Sequence, residues 1–354
     1  MQIVQREHPN ALPIMDDIDR LYCQLSEFEN GGTLIKQRYD ESFSMLVGTF
    51  EEFTDRKWSI EFENRDYTEI EPINPDDTII LTFSGGKDSV ASALRYKQMG
   101  YKVYLYHLRH INPSLSDEWK SAKKLAELLE LPIYFDDIHF KGYHCWTEHP
   151  MKNMLIANGA LSYGIRENIT THIAFGNYNS SYLEDNYFDR CAGDCVDMWE
   201  AYNDIIQRCI PDFKMDVNLT NMGDTLDILA DRTDLINASI SCLCRHSLRD
   251  YRRSWVKDTY GIELFEHRCG SCYKCCVEYM YMADHDKMPY SEDYYKYCLG
   301  QLYKVAQAEK VPVTDITDVW GHFIAYPIEQ SKLQSILNCK MLRTKIKWWQ
   351  GVDR

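Results

Sequence analysis

The chain has 354 residues, a mass of 41.7 kDa and a formal net charge of -15 at pH 7. Hydrophobic residues make up 45% of it and charged residues 26%, an ordinary balance for a globular protein that can bury a large core. The charge is uneven, because residues 1–77 carry 18 acidic and 7 basic side chains, whereas residues 331–354 carry 1 and 6. A protein that binds a long nucleic acid needs a basic surface to displace counterions from phosphates, so we expect no nucleic-acid partner.

No run of about eighteen apolar residues occurs, and the start MQIVQREHPN lacks the apolar region of a signal peptide. The sequence therefore predicts a cytoplasmic protein with no membrane partner. The chain contains 13 cysteines, and without an export signal we expect them to be reduced. Cysteines that cluster in the sequence then indicate metal binding.

The predicted elements alternate between strand and helix in the middle of the chain. A strand over 78–83 precedes a helix over 89–99, which ends at Gly100, and a second strand over 102–106. A helix over 117–131, a strand at "IYF", a helix over 151–165 and a strand in "THIAFGN" continue the pattern. This alternation predicts an α/β fold, a doubly wound parallel sheet with helices on both faces.

Residues outside this region lack the same alternation. We therefore predict an acidic N-terminal extension over 1–77, a core over 78–285 and a helical C-terminal extension over 286–354.

The first strand runs into a glycine-rich bend, Ser84-Gly85-Gly86-Lys87-Asp88-Ser89, and then into a helix. Two glycines let the backbone turn sharply and approach an anion, and the start of the helix offers unpaired N–H groups. The serines add hydroxyl donors, Lys87 adds a charge, and Asp88 adds a carboxylate suited to a magnesium ion beside phosphates. The bend differs from the usual P-loop, G-x-x-x-x-G-K-[ST].

A second group lies in "EHRCGSCYKCC", where Cys269, Cys272 and Cys275 follow each other at three-residue spacing. With Cys242 from "SISCLC" they form a predicted closed, tetrahedral zinc site, because four thiolates leave no position for a catalytic water. The spacing also suits an iron–sulfur cluster. The alternative fourth ligands are listed here: Cys244, Cys276, His246 and His267.

The bend resembles the S-G-G-x-D-S signature of the PP-loop, or N-type, ATP pyrophosphatases. This resemblance implies a fold of the adenine nucleotide alpha-hydrolase (HUP) type and cleavage of ATP to AMP and pyrophosphate. Together with the cysteines, the chain is similar to the 7-cyano-7-deazaguanine synthase (QueC-like) family over about residues 78–282. That family adenylates 7-carboxy-7-deazaguanine, forms an amide with ammonia and then dehydrates the amide to a nitrile, which would make this chain a C–N ligase of queuosine biosynthesis.

The resemblance implies a set of site residues. Its cofactors are ATP, Mg²⁺ and Zn²⁺, with Asp88 holding magnesium, and Ser84, Lys87 and Ser89 completing the catalytic set. The implied ATP contacts are Phe83, Ser84, Gly85, Gly86, Lys87, Asp88, Ser89, His107 and Arg109, and the implied substrate contacts are Lys152, Asn153, Gly176, Asn177 and Asp194. Asp194 also suits the N-cap of the helix that follows it.

The departures from the family concern the loop and the extensions. Lys87 replaces the usual leucine, and Val196 replaces an arginine. An enzyme that uses ammonia needs neither extension, and enlarged relatives of this kind resemble proteins of antiphage loci, including type IV CBASS. The extensions therefore suggest a protein acceptor whose N-terminal amine attacks the adenylate; the prediction also allows a homodimer.

Two alternative functions are also consistent with the sequence. One is a PP-loop tRNA sulfurtransferase, which shares the Ser-Gly-Gly-Lys-Asp-Ser motif but requires a basic RNA-binding face and a reactive cysteine. The other is a non-catalytic module that binds nucleotide to organise a partner surface.

Overall fold

The structure is a computed structural model that describes residues 12–27, 34–54, 57–75, 77–110, 116–138, 152–178, 196–220, 222–242 and 246–308. The chain divides into two compact units. The first comprises the described parts of 1–84, 92–177 and 188–219, and the second contains 85–91 and the described residues from 220 onwards.

The first unit contains an α/β core with a parallel sheet of five strands. The strands are β3 (Thr78–Thr82), β4 (Lys102–His110), β5 (Ile133–Ile138), β6 (Ile173–Tyr178) and β7 (Asp216–Thr220), in the order β5-β4-β3-β6-β7. β3 is the central strand and is buried at all five positions, as expected of a parallel strand covered by other elements. The predicted α/β class and parallel sheet are confirmed; the doubly wound, HUP-type arrangement stays a prediction.

Helices of this unit include α3 (Lys87–Gln98, which begins in the second unit), α4 (Ser116–Leu129), α5 (Lys152–Arg166) and α6 (Val196–Gln207). α5 packs against β3 and β4, and α4 packs against β4. Gly164 lets α5 approach closely, since a Cβ atom there would lie 2.2 Å from the carbonyl oxygen of Thr170 and 2.7 Å from Cδ1 of Ile80.

The N-terminal residues of the first unit form α1 (Pro13–Glu27), β1 (Leu34–Asp40), α2 (Phe43–Thr54) and β2 (Ser59–Glu63), with β1 and β2 paired in a separate two-stranded parallel sheet. α1 packs against α5, where the Asn158 amide donates to the carboxylate of Asp19 (2.7 Å) and the carbonyl of Met15 (3.0 Å). Residues from α1 and α2 share one apolar core with α5 and α6. The predicted boundary at residue 77 therefore lies inside this unit.

The second unit is helical in its described part. It contains α7 (Met222–Leu229), α8 (Thr233–Ala238), α9 (His246–Tyr260), α10 (Tyr273–Asp284) and α11 (Glu292–Ala308). α11 packs on α9 and α10, and tyrosines join them: the Tyr279 and Tyr294 rings lie 4.4 Å apart, and those of Tyr260 and Tyr294 5.1 Å apart. The predicted C-terminal extension begins within this unit, and its residues 309–354 lie outside the described part.

Candidate functional site

Two predicted nucleotide contacts and one predicted substrate contact of the first unit lie at the same level of three paired strands, where the central strand β3 ends. Thr82 of β3 pairs with Tyr106 of β4 and with Phe175 of β6, so the next residues, Phe83, His107 and Gly176, are neighbours near the carboxyl end of the sheet's central strand. In parallel sheets, ligands bind at this carboxyl edge.

His107 is fixed within the first unit. Its Nδ1 lies 2.7 Å from the carbonyl oxygen of Phe83, and its side chain is 4% exposed. Burial lowers the pKa of His107, although the Phe83 carbonyl acts in the opposite direction, so the imidazole is neutral at neutral pH. A neutral ring donates one hydrogen bond, which this carbonyl accepts.

The glycine-rich bend turns directly into α3, whose first residue is Lys87. Gly85 has φ +80°, a backbone conformation that favours glycine, and Ser84 before it is exposed. The start of α3 carries the positive end of the helix dipole. The bend thus has the local geometry of an anion-binding loop.

Backbone hydrogen bonds attach this bend to the segment that carries Cys242. Ile240 N–H donates to the carbonyl of Gly85 (2.9 Å), and Lys87 N–H donates to Oγ of Ser241 (3.1 Å). Ser241 therefore satisfies one of the N–H groups at the start of α3, as a capping hydroxyl does.

Two side chains of the bend have partners in the second unit. The Ser89 hydroxyl donates to the carbonyl of Gly86 (2.9 Å) and is buried, so it stabilises the turn itself. Half-buried Asp88 accepts a hydrogen bond from the hydroxyl of Thr225 in α7 (3.1 Å). This bond orients the carboxylate that the sequence assigns to magnesium.

Lys87 has a buried ionic partner. Its side chain is 1% exposed, and Nζ lies 2.8 Å from Oε2 of Glu278, whose side chain is 3% exposed. Oε1 of the same carboxylate accepts from Nε of Arg268 (2.6 Å). We call Lys87, Glu278 and Arg268 the buried triad; it carries two positive charges and one negative charge.

Arg268 is the most heavily bonded member of the triad. Its Nη1 donates to the carbonyl of Ser239 (2.6 Å), and its Nη2 donates to the carbonyl of Ile236 (3.0 Å) and the hydroxyl of Ser239 (3.0 Å). Burial disfavours both charged forms of the Arg268–Glu278 pair, but their mutual attraction outweighs it. The pKa of Glu278 is lowered, with Lys87 contributing, and that of Arg268 is raised.

The four cysteines predicted as ligands, Cys242, Cys269, Cys272 and Cys275, lie together, with their Sγ atoms all within 4.8 Å of one another. Sγ–Sγ distances are 3.9 Å for 242–272, 4.0 Å for 269–275 and 3.4 Å for 272–275. Zinc–sulfur bonds of about 2.3 Å require a tetrahedron with edges of about 3.8 Å. The cluster could hold a single metal ion such as zinc, whereas a four-iron cluster would separate the sulfurs more widely.

The backbone around Cys269 is shaped for a thiolate. The N–H groups of Ser271 and Cys272 both lie 3.3 Å from Sγ of Cys269 and donate to it. Gly270, which lies between Cys269 and Ser271, has φ +68°, and a Cβ there would lie 2.6 Å from the Tyr294 hydroxyl and 2.5 Å from Cδ1 of Leu264. Glycine is therefore required at this turn.

The cysteines of the cluster differ in their thiol pKa. Hydrogen bonds from the other cysteines lower the pKa of Cys269, and those from Cys269, Cys272 and Cys242 raise the pKa of Cys275. A bound metal favours the thiolate form of every ligand, so binding releases the remaining protons.

The alternative ligands are placed as follows. Sγ of Cys276 contacts the carbonyl of Gly270 at 3.9 Å and is buried away from the group of four. His267 is not a member of that group either. Cys244 and the side chain of His246 lie outside the described residues.

The remaining predicted residues do not form one described site. Arg109 stacks over the Phe135 ring (5.7 Å), and Asn153 lies half-buried in the first turn of α5. Asp194 and the side chains of Lys152 and Asn177 lie outside the described residues. The substrate pocket that the sequence implies therefore stays a prediction.

Four residues around the bend were not singled out by the sequence analysis: Thr225, Ser241 and Glu278 contact the bend, and Arg268 contacts Glu278. A weak signal existed for two of them, because Arg268 directly precedes Cys269 and Glu278 follows Cys275 by one helical turn. Charged residues beside apolar positions of a helix are common on surfaces, so this signal does not by itself indicate burial.

No helix in the described part of the chain is both long enough and apolar enough to cross a membrane. Neither the scan against models of known protein families nor the search of curated proteins finds a match to this chain.

Proposed function

We propose that the chain is a PP-loop ATP pyrophosphatase that adenylates the carboxylate of a 7-deazaguanine, 7-carboxy-7-deazaguanine, and passes it to an amine. The observation that carries this proposal is the bend from Ser84 to Ser89, with Gly85 at φ +80° and α3 starting at Lys87. A diphosphate leaving group gains stabilisation from such a loop as its charge develops.

The chemistry follows from what a carboxylate needs. Its oxygen attacks the α-phosphorus of ATP, the bond to the β-phosphate oxygen breaks, and pyrophosphate leaves. An amine then attacks the carboxyl carbon, AMP departs with the former carboxylate oxygen, and the nitrogen loses a proton to give an amide. Asp88, oriented by Thr225, would hold a magnesium ion on the phosphates, and that ion would neutralise the charge that develops there.

The four-cysteine cluster has a structural part in this proposal. A four-coordinate thiolate site has no open position for water or substrate, so a zinc ion there would stabilise the fold rather than react. Ser241 and Glu278, which flank the cysteines in sequence, contact Lys87 of the bend, in agreement with a role of the cysteine segments in holding the bend in place.

The test is a reaction of the purified full chain with MgATP, 7-carboxy-7-deazaguanine and ammonium, followed by mass spectrometry. We expect AMP and pyrophosphate in equal amounts, only when the deazaguanine is present, together with an amide or a nitrile. Asp88→Ala should reduce AMP release at least 100-fold. Asp258→Ala, at an exposed position of α9, is the matched control and should change little.

Other outcomes decide against this proposal. Formation of ADP would contradict pyrophosphatase chemistry. A brown colour from absorbance of blue light, or tight tRNA binding at moderate salt, would favour the sulfurtransferase, although the net charge of -15 argues against it. Nucleotide binding without any cleavage would favour the non-catalytic module.

The amine can be identified in the same assay. If ammonium gives no amide, candidate proteins replace it, and attachment of one base to a protein N-terminus is read from the intact mass. Such a product would support an acceptor role in antiphage defence, with the extensions as the docking regions.

A further inference from the structure

The bend contacts two of the chain segments that supply the cysteines directly, and it is linked to the third through Glu278. Ser241, which accepts from Lys87 N–H, directly precedes Cys242. Glu278, which pairs with Lys87 Nζ at 2.8 Å, follows Cys275 by one turn of α10. Glu278 in turn holds Arg268, the residue before Cys269.

We propose that Lys87 is a positioning residue that ties the anion-binding bend to the four-cysteine cluster, so that metal binding at the cysteines and diphosphate binding at the bend are coupled. The identity of the ligand at the bend rests on the proposed function. The attachment itself rests only on the contacts within the second unit.

Burial and charge argue for this role over direct contact with a phosphate. A lysine that binds phosphate presents its ammonium as an accessible point charge, whereas the Lys87 side chain is 1% exposed and faces Glu278. The triad has a net charge of +1, and four thiolates around a divalent ion have a net charge of -2. With a metal ion bound, the negative charge of the cysteine cluster therefore stabilises the positively charged triad. Without the ion, the cysteine segments that hold the triad in place are no longer tied together.

Coupling of this kind is reciprocal, since a ligand that stabilises one arrangement of the bend also stabilises the cysteine segments attached to it. Zinc should then raise the affinity of the bend for a diphosphate, and a diphosphate should raise the affinity of the cysteines for zinc by the same factor.

The first experiment measures hydrogen exchange by mass spectrometry in the full chain, for peptides covering 85–91. In the metal-loaded protein, Lys87→Met and Glu278→Gln should both speed exchange at these amides at least 10-fold. Removal of the metal with a chelator should do the same in the unsubstituted chain. Exchange at β3, in the first unit, is the internal reference and should stay slow.

Lys257→Met is the matched control for the lysine. It removes a lysine of the same unit whose pair with Glu263 (3.1 Å) is 59% and 79% exposed, so exchange at 85–91 should not change. Unchanged exchange at 85–91 in Lys87→Met and Glu278→Gln would overturn the proposal.

The second experiment measures the binding of Mg²⁺ with α,β-methylene-ATP by calorimetry. A positioning role predicts that Lys87→Met and Glu278→Gln weaken binding by similar factors of about ten, and that both lower the zinc affinity measured against a chelator. If Lys87 instead contacts phosphate, Lys87→Met weakens binding but Glu278→Gln, which releases the ammonium, does not, and the proposal fails.

The two proposals fail in different ways. If the unsubstituted chain binds no analogue, the proposed function is wrong, while the exchange and zinc measurements still decide whether the bend and the cysteines are attached through Lys87.

Discussion

The buried triad makes a prediction about stability that needs no substrate. Lys87 and Glu278 are 1% and 3% exposed, so removing either leaves groups that water cannot reach. Breaking a buried ion pair by removing one partner typically costs about 3–5 kcal/mol, compared with about 0–1 kcal/mol for an exposed pair. The cost of each substitution depends on which charges it leaves behind.

The charges that each substitution leaves behind predict the order of the variants in stability. Lys87→Met leaves Glu278 paired with Arg268 at 2.6 Å, a neutral pair, so we expect the low end, about 3 kcal/mol. Glu278→Gln leaves two buried cations facing one amide, so we expect at least 5 kcal/mol. In the double variant one cation is gone, and adding Lys87→Met to Glu278→Gln should therefore restore stability rather than lower it.

The assay is a double-mutant cycle of urea unfolding on the metal-loaded full chain, read by circular dichroism. The expected coupling energy is at least about 3 kcal/mol, because Lys87→Met costs about 3 kcal/mol alone and is stabilising in the Glu278→Gln background. The exposed pair Lys257–Glu263 provides the control cycle, with a coupling of at most about 1 kcal/mol. If the costs of Lys87→Met and Glu278→Gln add within about 0.5 kcal/mol, the buried-triad reasoning is refuted.

Three further predictions concern pH, the cysteine turn and the metal. Burial lowers the pKa of His107 in the folded state, so its contribution to stability is present above the unfolded pKa of about 6.5 and is lost as pH falls through the folded value. His107→Gln should therefore reduce the fall in Tm between pH 7.5 and pH 5.5. An unchanged fall in Tm would contradict this prediction. Gly270→Ala places a Cβ 2.6 Å from the Tyr294 hydroxyl at φ +68°, so it should cost about 2 kcal/mol or more in urea unfolding and weaken zinc binding; a cost below about 0.5 kcal/mol would show that the turn relaxes. Zinc analysis of the purified chain should give one ion, which Cys272→Ser loses and Cys276→Ala retains; loss in Cys276→Ala alone would reassign the fourth ligand.

Much of the sheet could be predicted because local patterns and burial agree there. The strands β3, β4, β5 and β6 all overlap predicted strands, and the helix predicted over 89–99 is observed as Lys87–Gln98. β7 was missed because "DVNLT" combines three polar residues with only two apolar ones, too short an alternation to indicate a strand on its own. Its place at the sheet edge beside β6 depends on pairing between distant segments.

The N-terminal region shows a second limit. An extension over 1–77 was predicted because these residues lack the strand–helix alternation of the core. In the structure, α1 contributes Met15 and Ile18, both 0% exposed, to the apolar core that it shares with α5. Helix α1 is amphipathic, and amphipathicity shows that one face is buried without showing which element covers it.

The cysteine cluster was predictable for a different reason. A ligand set of one metal must meet within a few ångströms, so closely spaced cysteines with a fourth upstream restrict the fold before any packing is known. The observed separations of 3.4–4.0 Å fit that restriction. The buried triad follows no such spacing rule, because Lys87 and Glu278 are far apart in the sequence. Each of them is also a residue type that usually lies on the protein surface.

The position of Lys87 changes how its departure from the resembling family is understood. That family usually has leucine here, and the sequence analysis interpreted the lysine as a charge gained beside the phosphates. A side chain that is 1% exposed and pairs with Glu278 lies in the interior of the protein instead. A buried position suits an apolar residue, and it also suits a lysine that is paired with a carboxylate; the observed partner of Lys87 is Glu278, and its predicted part in the reaction stays a prediction. This departure therefore gives no evidence against the proposed adenylation, and the double-mutant cycle rather than a kinetic assay is the measurement that tests it.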